Sequence, residues 1–63
     1  MTEVTYPCYK ERKDQSGGWY WIYYAKNKEP IGRSSESYVK RSDCTHSIGL
    51  MQGSAQDPIY YYE

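Results

Sequence analysis

The sequence predicts an α+β fold: a three- to four-stranded antiparallel sheet with one α-helix packed on one face, in the order β-β-β-α-β. Three observations carry this. The run Trp19–Tyr24 holds five aromatic rings and Ile22 between Gly17-Gly18 and the polar stretch Lys26–Glu29, which is the composition and punctuation of a strand. Further on the period changes, with Cys44, Ile48 and Met51 at i, i+4 and i+7, one stripe of a helix. Strand runs followed by a helix place that helix on one face of an antiparallel sheet.

The elements follow in order. "VTYPCYK" is a short extended run, and Pro7 confines it to an edge because it cannot donate to a ladder. Tyr6, Cys8 and Lys10 share one of its faces, which is expected to point inward. "ERKDQSGG" reads as a loop ending in two glycines. In "WYWIYYA" the period of 2 puts Trp19, Trp21, Tyr23 and Ala25 on one side and Tyr20, Ile22 and Tyr24 on the other. "KNKE" is a tight connection with Asn27 suited to the left-handed conformation. "PIGRSS" is the third strand. The helix is expected from about Arg41 to Gln52, with Asp43 at its positive end and Gly53 beyond its last turn. "IYYYE" reads as a final short strand.

Sixty-three residues make a single domain, 1–63. A chain this short buries only about 60% of its unfolded surface, and small domains often compensate by oligomerising. Aliphatics are few, so nine Tyr and two Trp must supply much of the core. The formal net charge is zero, which argues against strong unspecific attraction to nucleic acid or anionic membranes. The opening residues lack the apolar core of a signal peptide, and no stretch approaches the roughly 20 apolar residues of a membrane span. The expectation is a cytoplasmic protein without a membrane partner, with both thiols reduced.

The expected core is Tyr6, Cys8, Trp19, Trp21, Tyr23, Cys44, Ile48 and Met51. Cys8 and Cys44 are placed there as small hydrophobes, since no C-x-x-C spacing activates either. "DCTH" comes nearest to a catalytic cluster. On a helix Cys44 and His46 point about 200° apart and cannot meet, whereas Asp43 and His46 suit a surface ion pair. No catalytic residue, metal site or cofactor is assigned.

The ordered landmarks resemble the YegP-like family, small bacterial domains of unknown function. "YPCYK" is similar to its opening strand, "DQSGGWYWIYYAKN" to its Asp-x-x-Gly-aromatic-x-Trp segment, and "IGRSSESY" to its Ser-Ser-Glu-Gly-Tyr segment. "RSDCTHSIGLMQGSAQDPIY" is similar to the helix and tail that close the unit. The resemblance implies a three-stranded antiparallel sheet crossed by one helix. Family members often carry two packed units, so a single unit implies pairing with a second copy. Ser37 stands where the family usually has Gly. Lys40, at the helix start, cannot accept a capping hydrogen bond. Tyr20, Ile22 and Tyr24 occupy positions that the family often fills with Arg or Lys.

Tyr20, Ile22 and Tyr24 are therefore the expected contact face, since contiguous apolar patches mark contact sites. The functional expectation is a non-enzymatic interaction module that forms a homodimer through its tyrosine-rich sheet face or edge. The alternative is single-stranded nucleic-acid or small-ligand binding through exposed Tyr and Trp rings, because every base offers a stacking face. The basic residues look dispersed and interrupted by acids, which favours a solvated mixed-charge surface.

Overall fold

The computed structural model describes residues 4–62; the two ends of the 1–63 domain lie outside them. Strands β1 (Cys8–Lys13), β2 (Trp19–Tyr24) and β3 (Pro30–Arg33) form one antiparallel sheet in that order, and helix α1 (Arg41–Gln52) follows. The helix lies over β1 and β2 and leaves β3 uncovered. Trp21 (6% exposed), Cys44 (0%) and Ile48 (9%) form the buried core, with Tyr9, Trp19, Tyr23 and Tyr38 packed around it.

The β1–β2 turn explains the Asp-x-x-Gly landmark. Asp14 Oδ1 accepts the N–H of Ser16 at 3.0 Å, the Ser16 hydroxyl at 2.8 Å and the N–H of Gly18 at 2.8 Å. Gly17 takes φ +90°, and a Cβ on Gly18 would sit 2.9 Å from Ser37 Cβ. Hydrogen bonds from the Ser37 and Ser16 hydroxyls and from the Gly18 N–H lower the Asp14 carboxyl to about 2. A carboxyl held below its ordinary value of 3.8 stabilises the fold above that pH and loses the contribution as pH falls toward 2. The thermal midpoint of the wild type should therefore drop between pH 4 and pH 2. That of Asp14→Asn should start lower at pH 7 and fall less steeply, as followed by circular dichroism. Parallel acid limbs would remove this role from Asp14.

The register corrects the expected first strand. Pairing runs from Cys8↔Tyr24 to Lys13↔Trp19, so β1 lies further along the chain than "VTYPCYK" and includes "ERK". Directly paired residues share a face. Cys8 and Lys10, opposite Tyr24 and Ile22, thus point away from the helix, while Tyr9 and Glu11, opposite Tyr23 and Trp21, point toward it. Tyr6 goes with the outer set, its ring 6.0 Å from that of Tyr24. Tyr6 and Cys8 are consequently half-buried outside the core, and the residue that fills the inner place is Tyr9. Its ring centroid lies 5.3 Å from that of Trp21 and 4.8 Å from that of Tyr23. The sheet separates Cys8 from Cys44; both are free thiols.

In the β2–β3 turn Lys28, not Asn27, adopts the left-handed conformation (φ 71°). Asn27 instead accepts the Glu29 N–H at 3.2 Å. Beyond β3, Ser34 is buried, accepting the Trp21 N–H at 3.3 Å and donating to the Glu36 carbonyl at 2.9 Å. Tyr38 then bridges to Trp19 through two backbone hydrogen bonds of 2.7 Å. These contacts bring the chain across to the start of α1.

Helix α1 occupies the span its spacing predicts. Cys44 and Ile48 face the sheet, and the Trp21 indole N–H donates to Ser47 Oγ at 2.8 Å, so the buried ring has its polar partner. Met51, expected in the core, is 47% exposed. It lies toward the β3 side, where the helix has no strand beneath it. Lys40 stands at the N-cap with φ −110° and ψ 139° and makes no side-chain cap bond. That backbone suits a capping carboxylate, so Lys40→Asp should stabilise the domain by about 1 kcal/mol. A rise in denaturant midpoint with an unchanged slope would register the gain; no rise would show the first turn already satisfied.

Residues 58–62 carry no strand, and Ile59 to Tyr62 are exposed. The order within the described residues is therefore β-β-β-α.

Candidate functional site

The outer sheet face, opposite the helix, collects rings and cations. From β2 come Tyr20, Ile22 and Tyr24, all half-buried. From β1 come Lys10 and Arg12, opposite Ile22 and Tyr20, and from β3 comes Arg33, opposite Ile22. The covering of the expected contact face is thus partly internal. Lys10 Nζ lies 4.8 Å from the Tyr24 ring centroid and 5.1 Å from that of Tyr6, and donates to the Tyr6 hydroxyl at 2.8 Å. The Arg33 guanidinium sits 5.0 Å from the Tyr20 ring, and Lys28 Nζ 5.8 Å from Tyr6. Each such contact draws the cation to the negative face of the ring. The Tyr6 hydrogen bond, against the pull of desolvation, raises the Lys10 ammonium above its ordinary value, so it is fully charged at neutral pH.

This face sorts charge that looks mixed along the chain. In "YKER" the acid Glu11 lies between two bases. The pleat sends Lys10 and Arg12 to the outer face and Glu11 to the helix. There Glu11 pairs with Arg41 at 3.0 Å and accepts the Thr45 hydroxyl. Four cations (Lys10, Arg12, Lys28 and Arg33) consequently border Tyr6, Tyr20, Ile22 and Tyr24, while the paired strand residues pointing outward include no acid. A concavity of about 310 Å³ opens on the sheet there, lined by Ile22, Pro30, Gly32 and Arg33.

A larger groove of about 760 Å³ follows the seam between α1 and β1, lined by Tyr9, Glu11, Tyr23, Arg41, Thr45 and Ile48 among others. Its titratable groups serve the fold. Desolvation opposes the Glu11 charge, but hydrogen bonds from Thr45 and Arg41 outweigh it and hold the carboxyl below its ordinary value. Burial, aided by the Glu11 carboxylate, pushes the Cys44 thiol up, the reverse of what activates a nucleophile. His46, two residues from Cys44, is exposed, and Asp43 and His46 make no ion pair. Among the described residues no cluster of three His, Cys, Asp or Glu side chains could hold a metal. No helix there is long and apolar enough to cross a membrane.

Fold and surface together define a small α+β domain with one helix on a three-stranded antiparallel sheet. A family model matches residues 14–60, and the chain belongs to that family, a domain of unknown function (DUF1508) also known as YegP-like. The match takes in the Asp14 turn, β2, β3 and α1, and leaves β1, with Lys10 and Arg12, outside. No curated protein and no solved structure matches the chain.

Proposed function

We propose that this domain is a non-enzymatic binding module whose outer sheet face takes single-stranded nucleic acid. The observation that carries the reading is the gathering of Lys10, Arg12, Lys28 and Arg33 around Tyr6, Tyr20 and Tyr24, with no acid among the paired residues of that face. Phosphates supply the counter-charge that these cations lack among the described residues, and bases supply rings for the tyrosines. The concavity beside Ile22 and Arg33 falls at the low end of ligand-pocket size. The two free thiols suit a reducing, cytoplasmic setting.

The same charge weighs against a homodimer built face to face. A two-fold interface presents the same patch on both subunits, so these cations would meet their own copies, and like charges across an interface cost several kcal/mol. We propose that self-association, and with it the fourth strand of the β-β-β-α-β order, uses the sheet edge instead.

Anisotropy of a labelled single strand of about ten nucleotides, a length such surfaces cover, tests the reading. Binding should weaken with salt, with log affinity against log salt falling at a slope near −3, since each of four phosphate contacts releases about 0.7 counterion. No binding at about 50 mM salt, where such contacts are strong, would sink it. Polyphosphate competing as well as the oligonucleotide would replace it with a general anion site.

A further inference from the structure

We propose that the outer face reads one base of the bound strand, and that the concavity beside β3 is a guanine pocket with Arg33 as its reader. Resting on the nucleic-acid reading above, the pocket adds what charge and stacking lack, a choice of sequence.

The pocket lies at a slip in the ladder. Tyr23 pairs with Gly32, but Tyr24 pairs with Pro30, so Ile31 is an extra residue with no partner of its own on β2. A bulge of this kind bends its strand, and bulges re-aim side chains beside functional sites. The concavity of about 310 Å³ sits at this bend, lined by Ile22, Pro30, Gly32 and Arg33. Ile22 and Pro30 give it apolar walls for a planar ring. Its volume stands at the foot of the range of ligand pockets, which suits one base and not two.

Its polar chemistry is one-sided. Of the four lining residues only Arg33 has a polar side chain, and a guanidinium donates but never accepts. The Arg33 guanidinium lies 5.0 Å from the Tyr20 ring centroid. That contact steadies the side chain without using its N–H donors, and Arg33 makes no ion pair among the described residues. A planar fork of donors is thus held at the rim of an apolar slot. The fork matches guanine, which presents O6 and N7 as neighbouring acceptors. Adenine sets an amino donor beside N7, and cytosine presents an amino donor of its own. Either base would bring a donor to a slot whose side chains only donate, and an unpaired donor is costly. Thymine offers the single acceptor O4 and meets half of the fork.

Anisotropy with four labelled DNA strands of about ten nucleotides tests it. One strand is all thymidine. The others carry a single central deoxyguanosine, deoxyadenosine or 7-deaza-deoxyguanosine. The wild type should bind the guanine strand at least about fivefold more tightly than the thymidine strand, the lower end of what one bidentate base contact discriminates. The adenine strand, which controls for the stacking of a purine, should bind like the thymidine strand. So should the 7-deaza strand, which has lost the N7 acceptor. Arg33→Lys keeps the charge but not the fork, and should bind the guanine and thymidine strands alike. If that variant binds neither strand, the 7-deaza comparison on the wild type decides alone. Equal affinity for the guanine and adenine strands would overturn the pocket and leave the unspecific surface standing. So would a guanine preference that survives either the 7-deaza change or Arg33→Lys. Binding of none of the four strands at about 50 mM salt would remove the nucleic-acid reading, and the pocket with it.

Discussion

Trp21→Ala should leave the domain without a cooperative thermal transition, or with one lowered by about 12 °C or more. Trp21 is 6% exposed and sits on Cys44 and Ile48, with Tyr9 edge-on at 5.3 Å and its indole N–H on Ser47. Truncating a buried Trp costs about 3–5 kcal/mol. A domain of this length holds roughly 3–9 kcal/mol in total, and each kcal/mol moves the midpoint of so small a protein by about 4–8 °C. The change also leaves Ser47 without its donor. Ile48→Val, which removes one methylene from the same contact, serves as the graded control and should cost only about 0.5–1.5 kcal/mol. A Trp21→Ala protein that melts within about 5 °C of wild type would mean that the helix and sheet are not joined through this ring.

Reversing charge on the outer face should abolish oligonucleotide binding while leaving the fold intact. In Lys10→Glu with Arg33→Glu, two of the four cations become anions on the face opposite the core. Loss of a phosphate contact on a single strand removes about 0.7 of salt slope, and a reversed charge adds repulsion, so affinity should fall at least a hundredfold at low salt. The substitutions leave the core untouched and remove the Lys10 contacts to the Tyr6 and Tyr24 rings and the Arg33 contact to the Tyr20 ring. A retained cooperative thermal transition, showing the double variant folded, is the companion measurement. Unchanged affinity in a folded double variant would move the binding surface elsewhere.

Much of the fold was legible because its strongest signals are local. The ring-rich run Trp19–Tyr24 bounded by turn residues, Pro30 at the head of β3, and the Cys44–Ile48 stripe each read directly as the elements they form. The phase of β1 was not legible. "TYPCYK" places an aromatic on either face, and only the register set by the tight Asp14–Gly18 turn decides that Tyr9 goes in and Tyr6 and Cys8 go out. Met51 fits the helical period, but the width of the sheet beneath the helix decides whether that period reaches anything. The cationic face was hidden for a related reason. Glu11 and Glu29 interrupt the bases in sequence, and the sorting appears once period 2 is applied to β1 in its true register. The signal was present in "YKER", where alternation alone separates both bases from the acid.

Amide mapping tests most directly whether the outer face of the sheet is the binding surface. An ¹⁵N-labelled sample is titrated with an unlabelled single strand of about ten nucleotides, a length within the span one such surface covers. The predicted result is a contiguous set of shifted resonances from Lys10, Arg12, Tyr20, Ile22, Tyr24, Lys28 and Arg33, with Thr45, Gly49 and Leu50 of the helix unmoved. Shifts confined to the helix and the β1 seam, or no shifts at all at saturating oligonucleotide, would contradict it.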